Sequence, residues 1–166
     1  MASRKKEETY AKLWELNPIW DVLTAEEKLL VNDEVRVVRY KKNAVIHSEG
    51  DAATDIWTLI DGKVRIYKEG IGQRSQIIRL LKPYDFFGFR AAIASDVYTS
   101  CASAIESSVT YKLNAQLFLQ LLHQNHEFCY QMMLALAKDL AVAELQTINL
   151  TQKHIRGRLA ESLLTI

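Results

Sequence analysis

Cysteine is nearly absent from this chain: Cys101 and Cys129 are the two among 166 residues, far apart and without CxxC or His/Cys ligand spacing. A disulfide framework and a structural zinc site are thereby excluded, and the thiols read as reduced and intracellular. Proline is as sparse, with two in all, so little interrupts extended or helical runs. An excess of one charge is missing too: Lys and Arg number 21 and Asp and Glu 20, a net +1. A domain that grips a phosphate backbone usually shows a basic excess or stripe, so this chain alone is expected to bind DNA poorly. No apolar run reaches the roughly 18 residues of a membrane span. The Arg4-Lys5-Lys6-Glu7-Glu8 run leads into no apolar segment of signal-peptide length. The expectation is a soluble, cytoplasmic protein with no membrane partner.

Catalytic signatures are missing as well. The sequence has no His-x-His, no Gly-x-Ser-x-Gly elbow, no P-loop and no His-Glu-x-x-His helix. Gly70-Ile71-Gly72 lacks the third glycine and the strand-to-helix context of a dinucleotide fingerprint and reads as a hairpin tip. No enzyme activity and no metal site are expected, which leaves a cupin-like metalloenzyme as the weakest alternative.

What is present is patterning. With 49% hydrophobic and 25% charged residues, the chain suits one globular domain with an appended helix. Residues 1–33 read as an N-terminal helical cover, with Thr24-Ala25-Glu26-Glu27 forming a capping box. Residues 34–113 change to short β-branched and aromatic runs: Val35 to Arg39, Val45 to His47, Ile56 to Ile60, Val64 to Tyr67, Gln76 to Leu81, Thr99 to Ala104 and Ser108 to Leu113. Glu49-Gly50-Asp51, Asp61-Gly62 and Lys82-Pro83-Tyr84-Asp85 separate them, the spacing of an all-β barrel or double-sheet jelly roll. Asp61-Gly62 is the strongest hairpin signal, because a two-residue turn needs the positive φ that glycine tolerates.

Helical signals take over after Leu113. Asn114 can cap a helix through Leu122, and Asn125 a longer one to about Asn149. Cys129, Met132, Leu136, Leu140, Ala143, Thr147 and Leu150 form one stripe on the long helix. Tyr130, Met133, Leu134, Ala137, Ala141, Leu145 and Ile148 form a second. A surface helix needs one apolar face, and this one carries two. A parallel copy across a two-fold axis is the simplest cover for the extra face, and the first stripe is taken as the dimer interface. A helix sandwiched inside one domain is the alternative.

Element order and residues together resemble the CRP/FNR family of bacterial transcription regulators. Glu49-Gly50-Asp51 looks like the family's turn before a strand, and Ile56-x-x-Leu59-Ile60-Asp61-Gly62-Lys63-Val64-Arg65-Ile66-Tyr67 like its central hairpin. The run Leu80-Leu81-Lys82-Pro83-Tyr84-Asp85-Phe86-Phe87-Gly88 resembles the approach to its phosphate-binding cassette, with Tyr84 where glycine is usual. Leu150 to Leu164 is similar to the family's hinge and first DNA-domain helix. The resemblance implies a mainly β fold with α, a double-stranded β-helix (jelly roll) of cyclic-nucleotide-binding type. Residues 114–150 would supply the short helix and the dimerisation helix, and 151–166 a hinge and the start of a truncated winged helix-turn-helix. Lys153, Arg156 and Arg158 mark that start, their charges reading more readily as a solvated helix face than as phosphate contacts.

In cyclic-AMP-binding relatives the cassette resembles Phe-Gly-Glu-Leu-Ala followed by Arg-Ser-Ala. Here Phe87-Gly88-Phe89-Arg90-Ala91 and Tyr98-Thr99-Ser100 stand in those places. Phenylalanine replaces the ribose-binding glutamate and tyrosine the phosphate-binding arginine, so ordinary cyclic AMP recognition is not expected. Ala143-Glu144 stands where such relatives place hydroxyl residues against the adenine. Gly88, Phe89, Arg90, Tyr98, Thr99, Ser100, Ala143 and Glu144 are therefore the candidate effector pocket, either filled by its own side chains or shaped for another ligand. Arg90 could supply a displaced positive charge.

Iron-sulfur members carry an N-terminal cysteine cluster, and residues 1–100 hold no cysteine. Haem would need an axial ligand, for which His47, His123, His126, Cys101, Cys129, Met132 and Met133 qualify by type alone. No cofactor is expected. The functional expectation is the effector-sensing and dimerisation portion of a regulator that pairs with itself and reaches operator DNA and RNA polymerase only through a missing C-terminal domain. A stand-alone small-ligand-binding jelly roll without a DNA partner is the alternative.

Overall fold

The computed structural model describes residues 10–70, 75–94 and 96–164, without the side chains of 146 and 149–164. Residues up to Phe128 form one compact unit, and those from Cys129 onward a second, purely helical one.

The first unit is a jelly roll. Its strands are β1 (Arg36–Tyr40), β2 (Val45–His47), β3 (Asp55–Asp61), β4 (Val64–Glu69), β5 (Ser75–Leu81), β6 (Phe86–Phe87), β7 (Cys101–Ala104) and β8 (Ser108–Asn114). They make two four-stranded sheets, ordered β1-β8-β3-β6 and β2-β7-β4-β5, with every pairing antiparallel. The alternation of β-branched and aromatic residues builds the interior: Trp57, Leu59, Val64, Ile66, Leu81, Phe87, Tyr98 and Ala102 form one buried cluster. All seven expected strands appear within two residues of their anticipated limits. The two-residue β6 and the helix α3 (Phe89–Ala94) were not anticipated, because both are too short for a period to show.

Asp61-Gly62 behaves differently from a hairpin turn. Gly62 does take a positive φ of 92°, yet β3 and β4 lie in different sheets and do not pair. The turn passes the chain from one sheet to the other. The close approach of β8 gives it a second reason for glycine: a Cβ at Gly62 would lie 2.4 Å from Ser108 Oγ and 2.6 Å from the Ser107 carbonyl oxygen. The true hairpin joins β4 to β5, and its tip at residues 71–74 lies outside the described residues.

Helices cover the outer face of the β1-containing sheet. After α1 (Leu13–Leu16) and a 3-10 turn at Pro18–Trp20 comes α2 (Ala25–Glu34), whose capping box is made as expected: Glu27 N donates to Thr24 Oγ1, and Thr24 N to Glu27 Oε2. Asn114 caps α4 (Ala115–Gln124) by accepting from Gln116 N. Trp20, Phe86, Phe118 and Phe128 meet edge to face and tilted, with ring centroids 5.2–6.4 Å apart, and form a second aromatic core. Asn125 opens α5 (His126–Leu164) by accepting from Phe128 N, and its amide donates to the Val22 carbonyl and to Glu27 Oε2. The sequence reading ended this helix near Asn149 with a hinge after it. In the structure it runs unbroken to Leu164, consistent with the absence of proline or a capping glycine between 126 and 156.

Candidate functional site

The residues singled out along the cassette converge on one place. Gly88, Phe89, Arg90, Tyr98, Thr99 and Ser100 line a single cavity, together with His47, Ile66, Arg79, Leu81, Phe86, Phe87 and Ala91. Its volume is about 40 Å³. Ala143 and Glu144 lie exposed on α5, in the second unit.

Aromatic rings account for the small size. Tyr98, from the loop after α3, stacks on His47 of β2 with centroids 4.0 Å apart, and His47 stacks in turn on Trp57 at 5.3 Å. Trp57 lies against Phe87 at 5.5 Å. Gly88, at φ 85°, sits where a Cβ would come within 3.0 Å of the Trp57 ring, so glycine here admits the indole as well as the turn. Phe89 turns into the second aromatic core and stacks on Phe86 at 4.6 Å. Phe89 and Tyr98 are both buried.

Tyr98 is also pinned at its polar end. Its hydroxyl donates to the Asp55 carbonyl at 2.7 Å and accepts from Asp55 N at 3.2 Å. Backbone bonds from Tyr98 N to the Asp51 carbonyl, from Gly50 N to the Tyr98 carbonyl and from Ala53 N to the Asp96 carbonyl zip this loop to the turn before β3. Burial, with the Asp55 and Asp51 carboxylates adding to it, pushes the Tyr98 phenol up to about 12 against the lowering effect of its bond to Asp55.

His47 carries the opposite perturbation. Burial holds its imidazole down at about 4, outweighing the Asp51 carboxylate and the Ser100 backbone, which favour the charged form. The ring is neutral near pH 7, and among the described residues its buried Nδ1 has no hydrogen-bonding partner. Arg79 and Arg90 also line the cavity, and among the described residues no Asp or Glu does.

His47 and Arg79 are the site residues that sequence reasoning missed. His47 drew notice only as an axial ligand by type. Arg79 had a legible signal, since the period of β5 puts it on the same face as Leu81, an inward position where arginine is unusual. Among the described residues no group of three or more His, Cys, Asp or Glu is placed to hold a metal ion. No helix of the described residues is long and apolar enough to cross a membrane.

On α5 the two stripes differ. Of the stripe assigned to the dimer, Met132 is buried, Cys129 and Leu136 are half-buried, and Leu140, Ala143 and Thr147 are exposed. All seven residues of the second stripe, Tyr130, Met133, Leu134, Ala137, Ala141, Leu145 and Ile148, are exposed. The side chains of Leu150, Lys153, Arg156 and Arg158 lie outside the described residues.

A family model, cyclic nucleotide-binding domain, matches residues 37–125. The chain is 24% identical over 150 residues to the cyclic AMP receptor protein of Thermus thermophilus, covering 90% of this chain and 69% of that protein. It is 21% identical over 133 residues to the CRP-like cAMP-activated global transcriptional regulator of Mycobacterium tuberculosis, covering 80% and 59%. Its fold is similar to that of the sensor domain of the transcriptional regulator DNR from Pseudomonas aeruginosa, with a TM-score of 0.70 and 19% identity over 77% of this chain and 86% of that one.

Proposed function

The chain belongs to the cyclic nucleotide-binding domain family, and from that premise we propose that it is the effector-sensing and dimerisation portion of a CRP/FNR-type transcription regulator. At full length such a protein would hold operator DNA as a homodimer and meet RNA polymerase through a C-terminal domain beyond this chain. On this reading it works in the cytoplasm and catalyses nothing. Kinship with regulators from Thermus and Mycobacterium supports the assignment.

One observation carries the dimer: the second stripe of α5 is apolar and exposed along its length, with Met133 56%, Leu145 62% and Ile148 51% accessible. Side chains of this kind on one helical face want a partner. The seam we propose therefore runs along Tyr130, Met133, Leu134, Ala137, Ala141, Leu145 and Ile148, joined by Leu140 from the stripe first assigned to it. Met132, already buried within its own chain, drops out.

The effector would not be cyclic AMP. Pockets for ligands of that size enclose roughly 300 Å³ or more, against about 40 Å³ here. The two positions that would anchor ribose and phosphate hold Phe89 and Tyr98, both committed to packing.

Sedimentation analysis of Leu145→Asp tests the dimer. Covering Leu145 in both copies is worth about 3 kcal/mol or more, so the variant should dissociate at least about a hundredfold more readily. A wild-type chain that is monomeric at micromolar concentration, or a variant that dimerises unchanged, would remove the reading.

A further inference from the structure

Where the N-terminal helices meet the β1 edge of their sheet, a further cavity of about 150 Å³ is left open. Leu13, Val31 and Tyr111, all buried, form its floor, and Trp14, Val35 and Val37 its walls. Val37 and Tyr111 stand directly opposite each other on β1 and β8, and the cavity shares no residue with the one at the cassette. Two helices run alongside, yet Val37 remains 42% exposed, so apolar surface is left uncovered at this place.

Size sets the apolar part of a ligand, because an apolar cavity of about 150 Å³ holds one benzene-sized ring. Trp14 and Tyr111 favour an aromatic one, since rings gain from offset and edge-to-face contacts. The mouth of the cavity sets the polar part. Lys12 Nζ donates to Asn32 Oδ1, a neutral acceptor, and among the described residues it pairs with no carboxylate. An ammonium cannot accept, so Asn32 must turn its carbonyl to Lys12, which leaves its amide N–H2 as a second donor. Tyr111 offers none, because its hydroxyl donates to the Ala11 carbonyl at 2.9 Å. Glu15, the nearest acid to Lys12 in the sequence, accepts from Lys12 N and does not line the cavity. An apolar slot with an ammonium and an amide at its mouth suits a ring that carries an anionic acceptor.

We propose that this cavity is a binding site for a one-ring aromatic carboxylate, with the ring among Trp14, Val37 and Tyr111 and the carboxylate on Lys12 and Asn32. The site stands whatever the cassette cavity holds. The chain's own first nine residues are poor cover for it, since they offer Met1 and Ala2 beside the charged run Arg4 to Glu8. A ligand here would touch α1, α2, β1 and β8 together, and so tie the N-terminal helices to the edge strand of the sheet.

The purified chain is titrated at pH 7 with sodium benzoate at constant ionic strength, beside benzamide, benzylamine and acetate, and followed by calorimetry and tryptophan fluorescence. Benzoate should bind saturably and change the emission, and Trp14→Phe should remove most of that change while heat of binding persists. Acetate, which has no ring, and benzylamine, which has the opposite charge, should each bind at least about tenfold more weakly. Lys12→Gln should weaken benzoate about threefold or more and leave benzamide unchanged. Val37→Phe, which fills the cavity from its exposed side with a residue suited to a strand, should abolish benzoate binding. Should that variant fail to fold, Lys12→Gln, at an exposed residue, still decides the matter. Absence of benzoate binding, equal affinity for benzylamine, unchanged benzoate affinity in Lys12→Gln, or undiminished binding to a folded Val37→Phe would overturn the proposal.

Discussion

Acidification should weaken this fold in part through one buried residue, His47. His47 is held neutral at about 4 where an ordinary imidazole titrates at 6.5. The unfolded chain therefore takes up a proton as pH falls through 6.5, while the folded chain refuses it until about 4. Stability contributed by the neutral ring is fully present above 6.5, drains away as pH falls, and is exhausted below about 4. The full difference is on the order of 3 kcal/mol at about 1.4 kcal/mol per unit, with about 2 kcal/mol already lost at pH 5. That is a large share of the roughly 5–15 kcal/mol that holds a domain together. Urea unfolding at pH 7, 6 and 5 measures the loss, and His47→Phe isolates it, because Phe keeps the stack on Tyr98 and Trp57 but cannot be protonated. Carboxylates titrate in both proteins and cancel in the difference. The wild-type curve should fall away from that of the variant by about 2 kcal/mol between pH 7 and 5. Parallel curves would refute the claim that a buried neutral imidazole closes the cavity.

Two further substitutions probe the backbone around the site. Gly62→Ala adds a Cβ at φ 92° and drives it into Ser108, which is fully buried and bonded to both backbone groups of Lys63 and to the Glu106 carbonyl. Strain and lost hydrogen bonds should cost about 2–4 kcal/mol in denaturant midpoint, and a loss under about 0.5 kcal/mol would contradict the close approach. Tyr84 adopts φ 77° with its side chain half exposed, at the position where the family resemblance leads one to expect glycine. Tyr84→Gly should stabilise by about 0.5–1 kcal/mol, the relief of left-handed strain exceeding glycine's extra chain entropy. A destabilised variant would mean that the ring's contacts matter more than its backbone.

Local chemistry in the sequence was enough to place the strands, the Thr24 capping box and the Asn114 and Asn125 caps. Each depends on alternation or on a side chain reaching an amide two or three residues away. The cassette positions were legible for a similar reason: Gly88 through Arg90 and Tyr98 through Ser100 fall into register with the family's pattern, and the structure gathers them at one cavity.

Other features depend on what lies across the sheets, which no local period encodes. Whether Asp61-Gly62 closes a hairpin or passes the chain between sheets is decided by the partners of β3 and β4, and those are β8, β6, β5 and β7. The depth at which His47 is buried, and with it the loss of its basicity, follows from Tyr98, Trp57 and Phe87 arriving from three separate segments. The exposure along α5 was equally out of reach, because the apolar pattern of a helix does not say which of its residues stay in contact with solvent. The sequence alone thus determined the strands and caps of the scaffold and the residue types at the cassette positions. Tertiary structure decided the size of the cavity, the groups that line it and which residues of α5 stay exposed, because burial is a property of segments brought together and not of any one of them.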